Sequence, residues 1–264
     1  MKGRKLLFLI PAFSLFFTVS CGLDNFYYLD SPFSDGHSVS YTNSDAVQDY
    51  FSCVTNEEAG TGGNNVFFGS ASDFTFLGTE IYYKIYNNYN KMISVESSVS
   101  SMVTSSSSYT AAAEYLLHTA GYKPLALSYG SISPLIKAGS SPQNRYVYIR
   151  LSPYGTDVSY QAGICVSTTR LTEYDPGSAL TFNGQPVYPR RYGSSFGFNF
   201  SSSDVSSNPV PSQDDSDVTY SSTESSSGTW YVDMYAITVG RDTSYSLSYS
   251  HPYLMGSVAI TVAD

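Results

Sequence analysis

Charge is scarce in this chain. Asp, Glu, Lys and Arg together make up 13% of 264 residues, with only 13 basic groups against 22 acidic ones. So little positive charge leaves no footprint for a phosphate backbone, and a net charge of −9 repels nucleic acid and anionic lipid surfaces alike. Histidine is scarcer still: His37, His118 and His251 are scattered, and without an H-x-x-x-H or C-x-x-C spacing zinc is not indicated. Tryptophan occurs once, at Trp230, and cysteine three times, at Cys21, Cys53 and Cys165. Long apolar runs are missing apart from Leu6 to Val19. That run is shorter than the roughly 20 residues a membrane-spanning helix needs.

The flanks of this run explain it. Lys2, Arg4 and Lys5 precede it and the small residue Ser20 follows it, directly before Cys21. A basic n-region, a short apolar h-region and a small-residue cleavage site make a secretory signal over residues 1–20. The box Thr18-Val19-Ser20-Cys21 resembles the lipobox of bacterial lipoproteins, in the looser form of spirochaetal ones, although the first position is usually Leu. The resemblance implies that Cys21 becomes the lipidated N-terminus, that residues 21–29 form a tether, and that the protein is fixed in the cell envelope. Two or more acyl chains hold a protein stably where one holds it only marginally. The other reading is a plain signal peptide cut near Cys21. Loss of the three basic residues of the signal leaves 10 basic against 22 acidic groups, a net charge of −12.

With Cys21 acylated, Cys53 and Cys165 remain as an even pair in an exported chain, where a disulfide can persist. Closing a loop of more than 100 residues stabilises by about 4 to 5 kcal/mol in the chain-entropy picture. The alternative is two buried thiols acting as small apolar residues.

What the chain has in quantity is aromatic and hydroxyl side chains. Aromatics reach 16%, 25 of them Tyr, a mix that suits pleated, half-buried surfaces. In "RYVYIRL", Val147, Ile149 and Leu151 alternate with Tyr146, Tyr148 and Arg150; in "GTEIYYKIYNN", Ile81, Tyr83 and Ile85 alternate with Tyr82, Lys84 and Tyr86. "TWYVDMYAITVG" is apolar on both faces and reads as a central strand, with "YFSCVT", "SSFGFNF", "YSLSYS" and "GSVAITV" as further strands. Between about 89 and 121 the period changes. Met92, Val95, Val99 and Met102 recur at helical spacing among serines, and a clearer helix is expected at about Ala111 to Ala120, capped by Thr110 and closed by Gly121.

The expected fold is mostly β: an antiparallel β-sandwich occupying residues 30–264 as one domain, with one short helical insertion and long serine-rich loops. The stretch from Ser201 to Gly228 lacks apolar periodicity and reads as a mobile loop. A proline-marked segment at Tyr28 to Pro32, then "YFSCVT", then "FLGTEIYYKIYNN" resemble the opening strands of fibronectin type III and immunoglobulin-like sandwiches, over Asp30 to Asn88. The lone Trp230 and the Cys53 to Cys165 spacing depart from the antibody Cys-Trp-Cys pattern.

Motifs that carry chemistry are few. Gly193-Ser194-Ser195-Phe196-Gly197 matches G-x-S-x-G, but a nucleophile elbow needs a helix after the turn and "FNF" alternates like a strand. Asp214, Asp215 and Asp217 crowd together without the Gly and distal Glu of an EF-hand, and read as a solvated acidic loop. "GTGGNN" lacks the Lys-Ser/Thr of a phosphate loop and reads as a turn. The chain therefore reads as a non-enzymatic, lipid-anchored envelope protein without a cofactor, whose sandwich contacts another protein, a host molecule or the envelope itself. The alternative is a solute- or glycan-binding lipoprotein with a tyrosine-lined groove, since Tyr serves both cross-strand pairing and binding surfaces.

Overall fold

A computed structural model describes residues 26–42, 49–57, 66–68, 73–106, 108–128, 130, 133–140, 143–151, 162–171, 179–203, 209–223 and 228–262. In chain order the strands are β1 (Phe26–Tyr27), β2 (Phe51–Val54), β3 (Val66–Phe68), β4 (Phe74–Tyr86), β5 (Lys123–Pro124), β6 (Ala126–Leu127), β7 (Ile136–Lys137) and β8 (Tyr146–Arg150). They continue with β9 (Gly163–Ser167), β10 (Thr181–Phe182), β11 (Gln185–Pro186), β12 (Pro189–Arg190), β13 (Val218–Thr219), β14 (Thr229–Asp242), β15 (Leu247–Tyr249) and β16 (Tyr253–Thr261). The helices are α1 (Tyr89–Ser105) and α2 (Ala111–Glu114), the latter running into a π-helical turn at Tyr115–Thr119. The fold is mostly β with antiparallel sheets, a sandwich with helices added to one face.

The larger sheet is built on β4 and β14, which pair antiparallel from Tyr231 opposite Tyr86 to Asp242 opposite Phe74. The other edge of β14 carries β16 and β15, and the other edge of β4 carries β7, β5 and the parallel β13. The smaller sheet has the order β2-β8-β9, all antiparallel. Strand alternation assigns the faces. Ile81, Tyr83 and Ile85 of β4 join Trp230, Val232, Met234 and Ala236 of β14 against Phe51, Cys53, Val147, Ile149 and Ile164 of the smaller sheet. The opposite face of the larger sheet, with Tyr86, Tyr235 and Ile237, is covered by Met92 and Val99 of α1, Ala112 and Ala113 of α2, and Leu116. The central position expected for "TWYVDMYAITVG" follows from this: β14 has strands on both edges and packing on both faces.

The helical layer is larger than the sequence suggested. A 17-residue helix precedes the expected one, begun by Asn88, whose side chain accepts hydrogen bonds from the backbone N–H groups of Asn90 and Lys91. Serines tolerate this helix by donating to carbonyls one turn back, as Ser98 Oγ does to Ser94 O at 2.8 Å. Thr110 has helical backbone angles and makes no side-chain cap, while Gly121 takes φ +71° at the end of the π turn. Two other expectations change. "SSFGFNF" forms no strand; Phe198 and Phe200 alternate because both are inserted in the sandwich core. The described part of the serine-rich segment is tied down, with β13 parallel to β4 and Ile85 N donating to Asp217 O at 2.9 Å.

Candidate functional site

Cys21 and the "GTGG" stretch lie outside the described residues. The disulfide is not formed. Cys53 stands opposite Val147 and Cys165 opposite Tyr148, so β8 lies between the two and their side chains take opposite faces, one in the sandwich core and one against Tyr148 on the outside. Two strand spacings separate their backbones by about 10 Å, more than the roughly 7 Å that a disulfide can bridge.

The G-x-S-x-G stretch is a closed turn. Arg191 N donates to Phe196 O at 2.9 Å, Phe196 N donates to Ser194 Oγ at 2.8 Å, and the chain then enters the core with Phe198 and Phe200. The three histidines sit in separate contacts: His37 stacks on Tyr50, His251 packs against Tyr109, and His118 pairs with Glu114 on an exposed helical face.

The acidic stretch is not a solvated loop. Arg191, 4% exposed, holds Asp217 with Nε at 2.9 Å and Nη2 at 2.6 Å, and reaches Asp215 at 2.7 Å. Tyr83 donates to Asp217 at 2.6 Å. Burial pushes the Asp215 carboxyl up, but the hydrogen bond and charge of Arg191 together with hydrogen bonds from Ser212 outweigh it and hold the group below its usual range. This cluster is a structural ion pair that fastens β13 and the 191–197 turn onto β4. Only Asp214 of the three is exposed.

A second buried network lies beneath the helices. Tyr86 donates to the Tyr122 hydroxyl at 3.0 Å, and Tyr122 donates to Asp233. Burial pushes the Asp233 carboxyl well above its usual range, and the nearby Glu96 adds to the rise. Among the described tyrosines, Tyr83, Tyr86, Tyr122, Tyr148 and Tyr235 are buried, while Tyr89, Tyr192, Tyr220 and Tyr245 are exposed. Tyr41 stacks on Tyr89, and both meet Tyr231 edge-on, with ring centroids 5.5 to 5.9 Å apart.

A concave feature lies where the β7 edge of the larger sheet comes near the β9 edge of the smaller one. A pocket of about 290 Å³ is walled by Leu127, Leu135, Ile136, Val166, Leu180 and Val187. Its polar members are Lys137, Arg145 and Thr181. Arg145 donates through Nε to Glu57 Oε1 at 2.8 Å, and through Nη2 to the same oxygen and to the backbone carbonyl of Lys137. Glu57 is buried and also accepts from Gly139 N at 3.2 Å. Arg145 thus links the end of β2 to β7 across the pocket mouth, with its charge balanced by Glu57. Lys137 is exposed and has no salt-bridge partner among the described residues.

The β7 wall is held from behind by Glu80. Its carboxylate accepts from Leu135 N at 3.0 Å and Ile81 N at 3.2 Å, and burial pushes it up to about 7. Gly78 permits the close approach of β7. It takes φ +135°, and a Cβ there would lie 2.1 Å from Ile136 O.

A second cavity, about 440 Å³, is more polar and is bordered by Ser128, Arg190, Ser194 and Ser195. Neither cavity is lined by tyrosine. The sequence carried no signal for the apolar pocket, because its nine lining residues are spread from Leu127 to Val187 without a motif and meet only through the pairing of β7 with β4 and of β9 with β8. No protein-family model, no curated protein and no solved structure matches this chain.

Proposed function

We propose that this is a lipid-anchored cell-envelope protein carrying a non-enzymatic β-sandwich interaction domain, held to a membrane by acylated Cys21, at the cell surface or on the periplasmic side. The observation that carries the reading is the run from Lys2 to Cys21: basic residues, an apolar segment, and Val19-Ser20 directly before the cysteine. The start of the fold suits it. Tyr28 packs at a tilt against Tyr109 and Leu29 is fully buried, so the domain has taken hold within seven residues of Cys21. Such a tether spans at most about 25 Å, which keeps the sandwich close to the bilayer. Metabolic labelling with a clickable fatty acid tests the anchor. Label is expected on the wild type and lost in Cys21→Ser; equal labelling of both rejects acylation at this residue.

One observation favours the solute-binding alternative, namely the open apolar pocket between β7 and β9. Its aliphatic walls do not suit a glycan, whose hydroxyls would lose water without gaining partners. A solute for this pocket is apolar over most of its surface.

A further inference from the structure

We propose that the pocket between β7 and β9 binds a medium-chain alkyl carboxylate, its tail against the six aliphatic side chains and its carboxylate at Lys137. The inference rests on the solute-binding reading and gives that solute a class. Size comes first. A water in the liquid occupies about 30 Å³ and a methylene takes about as much, so roughly ten carbons fill the site. The pocket has a volume of about 290 Å³, at the lower end of small-molecule sites.

Charge comes second. The polar groups at the pocket are Lys137, Arg145 and Thr181. Arg145 is neutralised by the buried carboxylate of Glu57, which leaves Lys137 as the uncompensated charge among the described residues at the pocket. One positive charge matches one carboxylate. It repels alkyl ammonium ions, and it is too little for a doubly charged phosphate. Thr181, also exposed, adds a hydroxyl donor at the rim. The site is a local exception in a chain of net charge −9, whose overall field disfavours anions. Attraction to the pocket must therefore act at short range, through Lys137 and the tail.

The full mature chain carrying Cys21→Ser, which needs no detergent that would compete for the pocket, is titrated with decanoate, decanol and decylamine against a fluorescent undecanoate probe. Decanoate is expected to displace the probe, binding up to about fivefold more tightly than decanol, the most that an exposed ion pair supplies. Decylamine should bind more weakly than either. Lys137→Glu, an exposed position, should erase the preference for decanoate while decanol still binds. Leu180→Trp should fill the pocket and lose both ligands, with Val166→Phe as a second filling variant should the first not fold. Equal binding of decanol and decanoate, abolished by filling, overturns the carboxylate assignment and leaves a solute pocket standing. No displacement by any of the three, or binding unchanged in the filled variants, overturns both.

Discussion

Glu80 couples protonation to folding at a single side chain. Its carboxyl lies on β4 beneath Leu135, and burial raises it from 4.5 to about 7, against hydrogen bonds from Ser133, Leu135 N and Ile81 N that favour the charged form. An acid whose folded value is raised keeps its proton in the native state at pH values where the unfolded chain has lost it. The native state is therefore progressively disfavoured as pH rises from about 4.5 to about 7, by about 3 kcal/mol in all. Glu80→Gln should remove this part of the pH dependence. Urea unfolding at the two ends of the window measures it, and a fall as steep in the variant as in the wild type would assign the effect elsewhere. At the same scale, the acidic residues 214 to 217 show what a sequence withholds. A carboxylate in a serine-rich stretch looks solvated, and nothing nearby announces that Arg191, more than 20 residues upstream, will bury itself against Asp217.

At the scale of elements, β7 depends on a glycine in its neighbour. A Cβ at position 78 would meet Ile136 O at 2.1 Å and Ala138 N at 2.8 Å, so Gly78→Ala should push β7 away from β4. The amide of Ala138, which donates to Leu77 O at 2.8 Å, would then exchange with solvent faster, by at least about tenfold for each 1.4 kcal/mol of lost local stability. Amides of Val232 and Met234, in the middle of the β14 ladder, should be little affected; retained protection at Ala138 would argue against the clash. The long strands were legible because alternation is a strong signal: β4, β8 and β14 place Ile81, Val147 and Val232 inward as the two-residue period requires. The helical layer was legible only in part. Serines obscure α1, and what holds it is tertiary, Met92 and Val99 packed over Tyr86 and Tyr235. Phe198 and Phe200 misled in the opposite sense, since alternating burial without a partner strand looks the same in a sequence as a strand does.

The whole molecule is held by stacked layers rather than by a covalent link between Cys53 and Cys165, which both belong to the smaller sheet. The smaller sheet, the larger sheet and the helices share two apolar interfaces, with β4 and β14 contributing to both. Because Cys53 and Cys165 lie on opposite faces of the smaller sheet, reduction has no bond between them to break. The thermal midpoint of the mature chain should therefore be the same with and without dithiothreitol. A drop on reduction, of the size that losing 2 to 5 kcal/mol brings, would mean that the two cysteines do pair. The class of the fold could be read from composition and period, but the meeting of two sheet edges could not, because it depends on how far the sheets splay, a property of no single segment.

The link that Arg145 makes across that splay has a mechanical side. Its guanidinium is tied to Glu57 at the end of the smaller sheet and to the Lys137 carbonyl on the rim of the larger one. The width of the entrance and the separation of the two sheets are therefore one coordinate. Anything that wedges the entrance open pulls on both sheets, and anything that draws the sheets together grips what lies between them.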